Sequence, residues 1–227
     1  MKPFGCGMLK QKSKLMPQKT DLLVPVLQGQ PVIPVLLIEH VKHAVPLARA
    51  LAKGGLPAIE ITLRTAAALD AIRAVASEVP EAIVGAGTIL NAKHYEDAAK
   101  AGSRFIVSPG ATKYILAAAN DSDVPLLPAA ITPSEMLALR EEGYTHLKFF
   151  PAEQSGGASF LKAMSSPLAG TFFCPTGGVS LANAKSYLSL PNVICVGGSW
   201  VAPKEMVEAG DWDGITKLAS EAASLGA

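Results

Sequence analysis

Eight short apolar runs recur along the chain, their starts separated by 27, 24, 22, 21, 21, 26 and 21 residues. They are "PVIPVLLI" (31–38), "AIEITL" (58–63), "AIVGAGT" (82–88), "RFIVSPG" (104–110), "PLLPAAIT" (125–132), "HLKFFPA" (146–152), "FFCPTGG" (172–178) and "VICVGGSW" (193–200). Each reads as a strand, and a helix-compatible stretch follows it. In "HVKHAVPLARALAKGG", Val41, Ala44, Val45, Ala48 and Leu51 lie along one helical face before Gly54 and Gly55 stop the run. One βα unit fits each interval, and no change of composition marks a second domain. Strict β–α alternation predicts a parallel sheet covered by helices. That leaves an open doubly wound sheet or a closed (β/α)₈ barrel.

Side-chain parity favours closure. In the second strand Ile59, Ile61 and Leu63 point one way, and Glu60, Thr62 and Arg64 the other. Helices cover both faces of an open sheet, so the polar set would be stranded; in a barrel it faces the interior and the mouth. Lys148 repeats the problem in the sixth strand, on the parity of His146 and Phe150. His146 lies nearer the strand's start and is assigned to packing. In an open sheet of sequential order, the second and eighth strands would stand roughly 29 Å apart at ~4.8 Å per spacing, too far to share a small substrate. The expected fold is therefore a single α/β domain, a (β/α)₈ TIM barrel over 21–227.

Composition limits the partners. The chain carries 20 Lys and Arg against 19 Asp and Glu, with no basic stripe interleaved with aromatics, so nucleic acid is not expected. No apolar run approaches the ~20 residues that span a bilayer, so no membrane partner is expected either. Residues 1–20 hold five lysines and no acid, without the apolar centre of a signal peptide. They read as a flexible basic extension. Cys6, Cys174 and Cys195 form no C-x-x-C pair, and the last two fall in apolar strands as buried, inert thiols. A reducing, cytoplasmic location follows. His40, His43 and His94 sit on or beside helices as solvated surface, and no metal-ligand spacing occurs, so no metal and no cofactor are expected.

Six motifs in order, "EITLRT" (60–65), "VGAGTIL" (84–90), "SPGAT" (108–112), "LKFFPAE" (147–153), "FCPTGGVS" (173–180) and "VGGSW" (196–200), resemble 2-keto-3-deoxy-6-phosphogluconate aldolase. That family also acts on 4-hydroxy-2-oxoglutarate and consists of class I pyruvate aldolases on a (β/α)₈ barrel. The resemblance runs from about residue 24 to about residue 208. It implies that Lys148 forms a Schiff base and Glu60 serves as general acid and base. It also implies a phosphorylated keto-acid substrate and a homotrimer. The chemistry suits those residue types. An amine attacks a ketone only when neutral, free lysine is almost wholly protonated at pH 7, and apolar walls disfavour the charge. One carboxylate can carry both the proton leaving the C4 hydroxyl and the proton returning to C3.

The remaining motif positions are candidate substrate contacts. Arg64 offers a donor fork to the substrate carboxylate. Thr88 is placed at the pyruvyl end, with a plain helix cap as its alternative. Pro109, Phe150 and Thr176 fall within the matched motifs. Gly177, Gly178, Gly198 and Ser199 end strands and open helices, where backbone N–H groups can approach a phosphate. The chain departs from its relatives after the proline of the fifth strand, where "LPAAITPSE" carries Ala129 and Ala130 in place of a usual glycine. An added methyl there narrows the expected pocket. Two rivals remain on the residues alone. An isomerase or epimerase would give Lys148 only electrostatic work, and a phosphosugar-binding regulator would need no nucleophile at all.

Overall fold

The computed structural model describes residues 18–226. The basic extension expected over residues 1–20 lies mostly outside that range, as does Cys6. Its last residues run into a helix, α1 (Thr20–Gln28), which precedes the first strand. Eight strands follow: β1 (Val32–Leu36), β2 (Ala58–Thr62), β3 (Ile83–Gly87), β4 (Ile106–Ser108), β5 (Leu126–Pro128), β6 (His146–Phe149), β7 (Phe172–Pro175) and β8 (Val196–Gly198). Between them lie α2 (Ala44–Lys53), α3 (Ala68–Glu78), α4 (Ala92–Lys100), α5 (Lys113–Asn120), α6 (Pro133–Glu141), α7 (Gly157–Met164) and α8 (Ala184–Leu188). After β8 come α9 (Lys204–Ala209) and α10 (Trp212–Ala223).

Every strand pairing is parallel. Six strands form one sheet in the order β5-β4-β3-β2-β1-β8, and β6 pairs with β7 in a second. Single-residue bridges, Ala129 with Lys148 and Thr176 with Gly197, link the two sheets.

Burial follows the alternation. Val32, Ile59, Ile106, Leu126, Phe173 and Val196 face the helices in one apolar cluster. Their chain neighbours Ile33, Ala58, Val107, Leu127, Cys174 and Cys195 join a second cluster. That inner cluster draws together residues of β2 and β7, which belong to different sheets, as strands do only when they curl. The fold is α/β with curled parallel strands.

Leu23, Val26 and Leu27 of α1 complete the inner cluster, so α1 packs beneath the strands. Gln30 ties that end together: its amide donates to the carbonyls of Val32 (2.6 Å) and Ala58 (2.8 Å) and accepts from the Ala58 N–H (2.7 Å). His146 lies at the start of β6, buried and stacked on Phe172 at 5.2 Å between ring centres. Burial lowers its pKa. Cys174 and Cys195 are both free and buried.

Helix ends obey their local chemistry. The Asn91 side chain caps α4, and Thr132 with Glu135 forms a capping box on α6, with Pro133 beginning the helix.

Candidate active site

β2 and β6 each present one charged side chain to the inner face, and the curl brings them into contact. Lys148 Nζ donates to Glu60 Oε1 at 3.1 Å and Oε2 at 3.3 Å. The two side chains are only 7% and 5% exposed. Either charge alone would be costly there, because a buried charge without its partner keeps its full desolvation penalty. Gly87 on β3 makes the room: a Cβ at that position would overlap the Glu60 carboxylate. Phe149 points away from the pair and stacks on Phe160 at 5.3 Å, whereas the Phe150 ring lies 5.5 Å from Lys148 Nζ.

The remaining candidates, Pro109 excepted, lie around the strand ends beyond this pair. Arg64, just beyond β2, is exposed; its Nε donates to Thr62 Oγ1 (3.1 Å), whose own hydroxyl donates to the Leu36 carbonyl (2.8 Å). Among the described residues Arg64 has no carboxylate within salt-bridge reach, so its fork is not held in a surface ion pair. Arg64 and Ser199 line one cavity of about 340 Å³ at the ends of β1, β2 and β8.

Thr88 follows Gly87 with φ 59°, a left-handed backbone that a β-branched residue rarely adopts. Helix capping does not explain it, since Asn91 fills that role. Strain of order 1–3 kcal/mol is typical of residues held so by a functional site.

Thr176 is buried and occupies the space a side chain on Gly197 would need. Gly177 and Gly178 adopt φ 96° and 76°, which favours glycine at both. A Cβ on Gly177 would stand 3.2 Å from the Phe150 ring, so this turn packs directly on the aromatic beside Lys148. Among the described residues the N–H groups of Gly178 and Ser199 have no hydrogen-bond acceptor. They are the free donors an anion needs. Gly198 backs onto the Trp200 ring, which fills the place of its missing Cβ.

Pro109 stands apart from this cluster. It is exposed at the end of β4, on the wall of a cavity of about 470 Å³ between α5 and α6. Ala129 pairs with Lys148 in the bridge between sheets, and paired residues face the same side, so its methyl borders the inner face.

Sequence reasoning missed three neighbours. Lys204 lines the cavity of Arg64 and Ser199, paired with Glu39 at 2.9 Å and Glu208 at 3.5 Å. Its place five residues after Ser199 was the available signal. Glu153 and Tyr187 meet in a hydrogen bond beside Gly178, a contact that spans α7 and that no spacing announces.

Known proteins resemble this chain in sequence and fold. The family model described as "Aldolase: KDPG and KHG aldolase" matches residues 24–218. A 2-dehydro-3-deoxy-phosphogluconate aldolase of Pseudoalteromonas atlantica is 55% identical over 192 residues, covering 85% of this chain and 89% of that protein. The KHG/KDPG aldolase of Escherichia coli K12 is 50% identical, covering 87% and 92%. The crystal structure of a KDPG aldolase from Legionella pneumophila, with pyruvate captured as a covalent carbinolamine, superposes with a TM-score of 0.86 at 42% identity, covering 88% of this chain and 97% of that one. With the matched segment carrying both members of the buried pair, the chain belongs to the KDPG and KHG aldolase family.

Proposed function

We propose that the chain is a class I aldolase that reversibly cleaves 2-keto-3-deoxy-6-phosphogluconate to pyruvate and glyceraldehyde 3-phosphate, and 4-hydroxy-2-oxoglutarate to pyruvate and glyoxylate. The observation that carries this reading is the buried contact of Lys148 with Glu60 at 3.1 Å. In the reaction, Lys148 adds through its neutral amine to the C2 ketone, and the carbinolamine loses water to give an iminium. Glu60 takes the C4 hydroxyl proton as the C3–C4 bond breaks, and the bonding pair flows into the iminium to form an enamine. The aldehyde leaves. Glu60 returns its proton to C3, and water hydrolyses the imine to release pyruvate and restore the amine.

Arg64 takes the keto-acid carboxylate, Thr88 and Thr176 border the pyruvyl end, and Phe150 shields the nitrogen. Gly178 and Ser199 hold the phosphate through backbone N–H groups, Gly177 and Gly198 shape the turns that present them, and Pro109 has a peripheral part. Isomerisation or binding alone leaves the nucleophile without work.

The same reading makes residues 21–227 one domain, a fully closed (β/α)₈ barrel. The bridges at Ala129–Lys148 and Thr176–Gly197, joining both edges of the six-stranded sheet to β6 and β7, support closure. It also makes the protein a cytoplasmic homotrimer; no helix of the described residues is long and apolar enough to cross a membrane.

Incubation with pyruvate and borohydride tests the chemistry. A reduced pyruvyl adduct is expected on the peptide carrying Lys148. An unmodified Lys148 in an enzyme that still turns over would overturn the Schiff-base assignment.

A further inference from the structure

The turn assigned to the phosphate is gripped from both sides. On one side the Asn183 amide donates to the Gly178 carbonyl at 3.0 Å, and its oxygen accepts from the Ser180 N–H at 2.8 Å. On the other side lies Glu153, whose backbone N–H donates to the Gly177 carbonyl at 3.1 Å. Its side chain lies along Gly178, so that a Cβ there would stand 2.5 Å from Glu153 Cγ and 2.7 Å from its Cβ. The stem of Glu153 is therefore fixed against the turn. Its carboxylate is not, because it has two directions open to it. One leads to the hydroxyl of Tyr187 on α8, which donates to Glu153 Oε1. The other would lie toward the backbone of Gly178, against which the Glu153 stem packs and whose N–H has no acceptor among the described residues.

A carboxylate and a phosphate are ligands of the same kind for backbone N–H groups. A glutamate tethered beside such a donor is an intramolecular competitor for it, and its charge repels a phosphate that arrives there. Glu153 is exposed at the turn, so solvent alone would leave it free to swing. Tyr187 is fully buried apart from that contact, and its ring cannot follow the carboxylate.

We propose that Tyr187 is a positioning residue that turns the Glu153 carboxylate away from the Gly178 N–H and so keeps the anion site vacant for the substrate phosphate. The inference rests on the phosphate assignment given above and adds to it the device that stops the protein from occupying its own site.

The test is a set of variants assayed on both substrates. Tyr187→Phe keeps the ring's volume and removes the donor. Its KM for the phosphorylated substrate should rise about tenfold, the effect of losing one charge-assisted contact, with kcat and the kinetics on 4-hydroxy-2-oxoglutarate unchanged. Adding Glu153→Gln removes the competing charge at constant shape, and the double variant should return to within about twofold of the parent KM. Glu153→Asp shortens the side chain away from Tyr187, should raise KM in the same way, and serves if Tyr187→Phe does not fold. Equal losses on both substrates, or no rescue by Glu153→Gln, would mean that Tyr187 only packs, and the inference falls. Inorganic phosphate should compete with the phosphorylated substrate on the parent enzyme. Failure of that control overturns the phosphate assignment itself, and the inference with it.

Discussion

At the scale of single residues, the acid and the amine of the buried pair can be separated experimentally. Glu60→Gln keeps the shape of the side chain and an acceptor for Lys148 but cannot take a proton. Borohydride trapping of pyruvate on Lys148 should persist in this variant while kcat for cleavage drops by about 10²–10⁴, the usual contribution of a positioned acid or base. Loss of trapping together with turnover would assign Glu60 to activating the amine instead. His146 gives a second test, of stability rather than rate. Burial lowers its pKa in the folded chain, so the unfolded state binds the extra proton more readily. The stability associated with neutral His146 is thus complete above its unfolded pKa of about 6.5 and is lost as pH falls below it. Thermal unfolding of His146→Phe, which keeps a ring against Phe172, should show a smaller fall in Tm between pH 7 and pH 5 than the parent. An identical fall would assign the acid sensitivity to other groups.

Among the elements, the eight strands were legible because each carries two residue sets of opposite parity, as Ile59 and Glu60 illustrate, and turn residues close each run. Strand ends were less legible. "VICVGGSW" pairs regularly only over Val196–Gly198, because Ser199 and Trp200 leave the ladder to form the turn. α1 was missed because lysines crowd the residues before it and Pro25 sits inside it. Its apolar face is short, and only the docking surface makes sense of it. In the site, Lys148 and Glu60 were legible as charges within apolar runs, on the parity that turns away from the helices. Glu153 and Tyr187 were not, since their contact depends on how α8 packs. The α6 cap offers a measurable case. Glu135 accepts from the backbone N–H groups of Thr132 (2.8 Å) and Ile131 (2.9 Å), which lowers its pKa. A carboxylate lowered in this way stabilises the fold above its unfolded pKa, about 4.3, and loses that effect as pH falls through the lower folded value. Glu135→Gln should therefore lower Tm at pH 7, and the gap from the parent should shrink as pH falls below 4. A gap that stays constant would show that the charge is irrelevant to the cap.

For the molecule as a whole, α1 precedes all eight strands, yet Leu23, Val26 and Leu27 pack against residues as late as Cys174 and Cys195. The seat of this helix is made of strands from the entire length of the chain, and it is complete only when β8 is in place. During synthesis the segment that leaves the ribosome ahead of every strand therefore finds its complete seat only after β8 has been made. At ~5–20 residues per second its apolar side stays unpaired for on the order of ten seconds. In nascent chains that end before β8, Leu23, Val26 and Leu27 therefore lack their complete apolar seat, and a nine-residue segment this short gains its helix only from that docking.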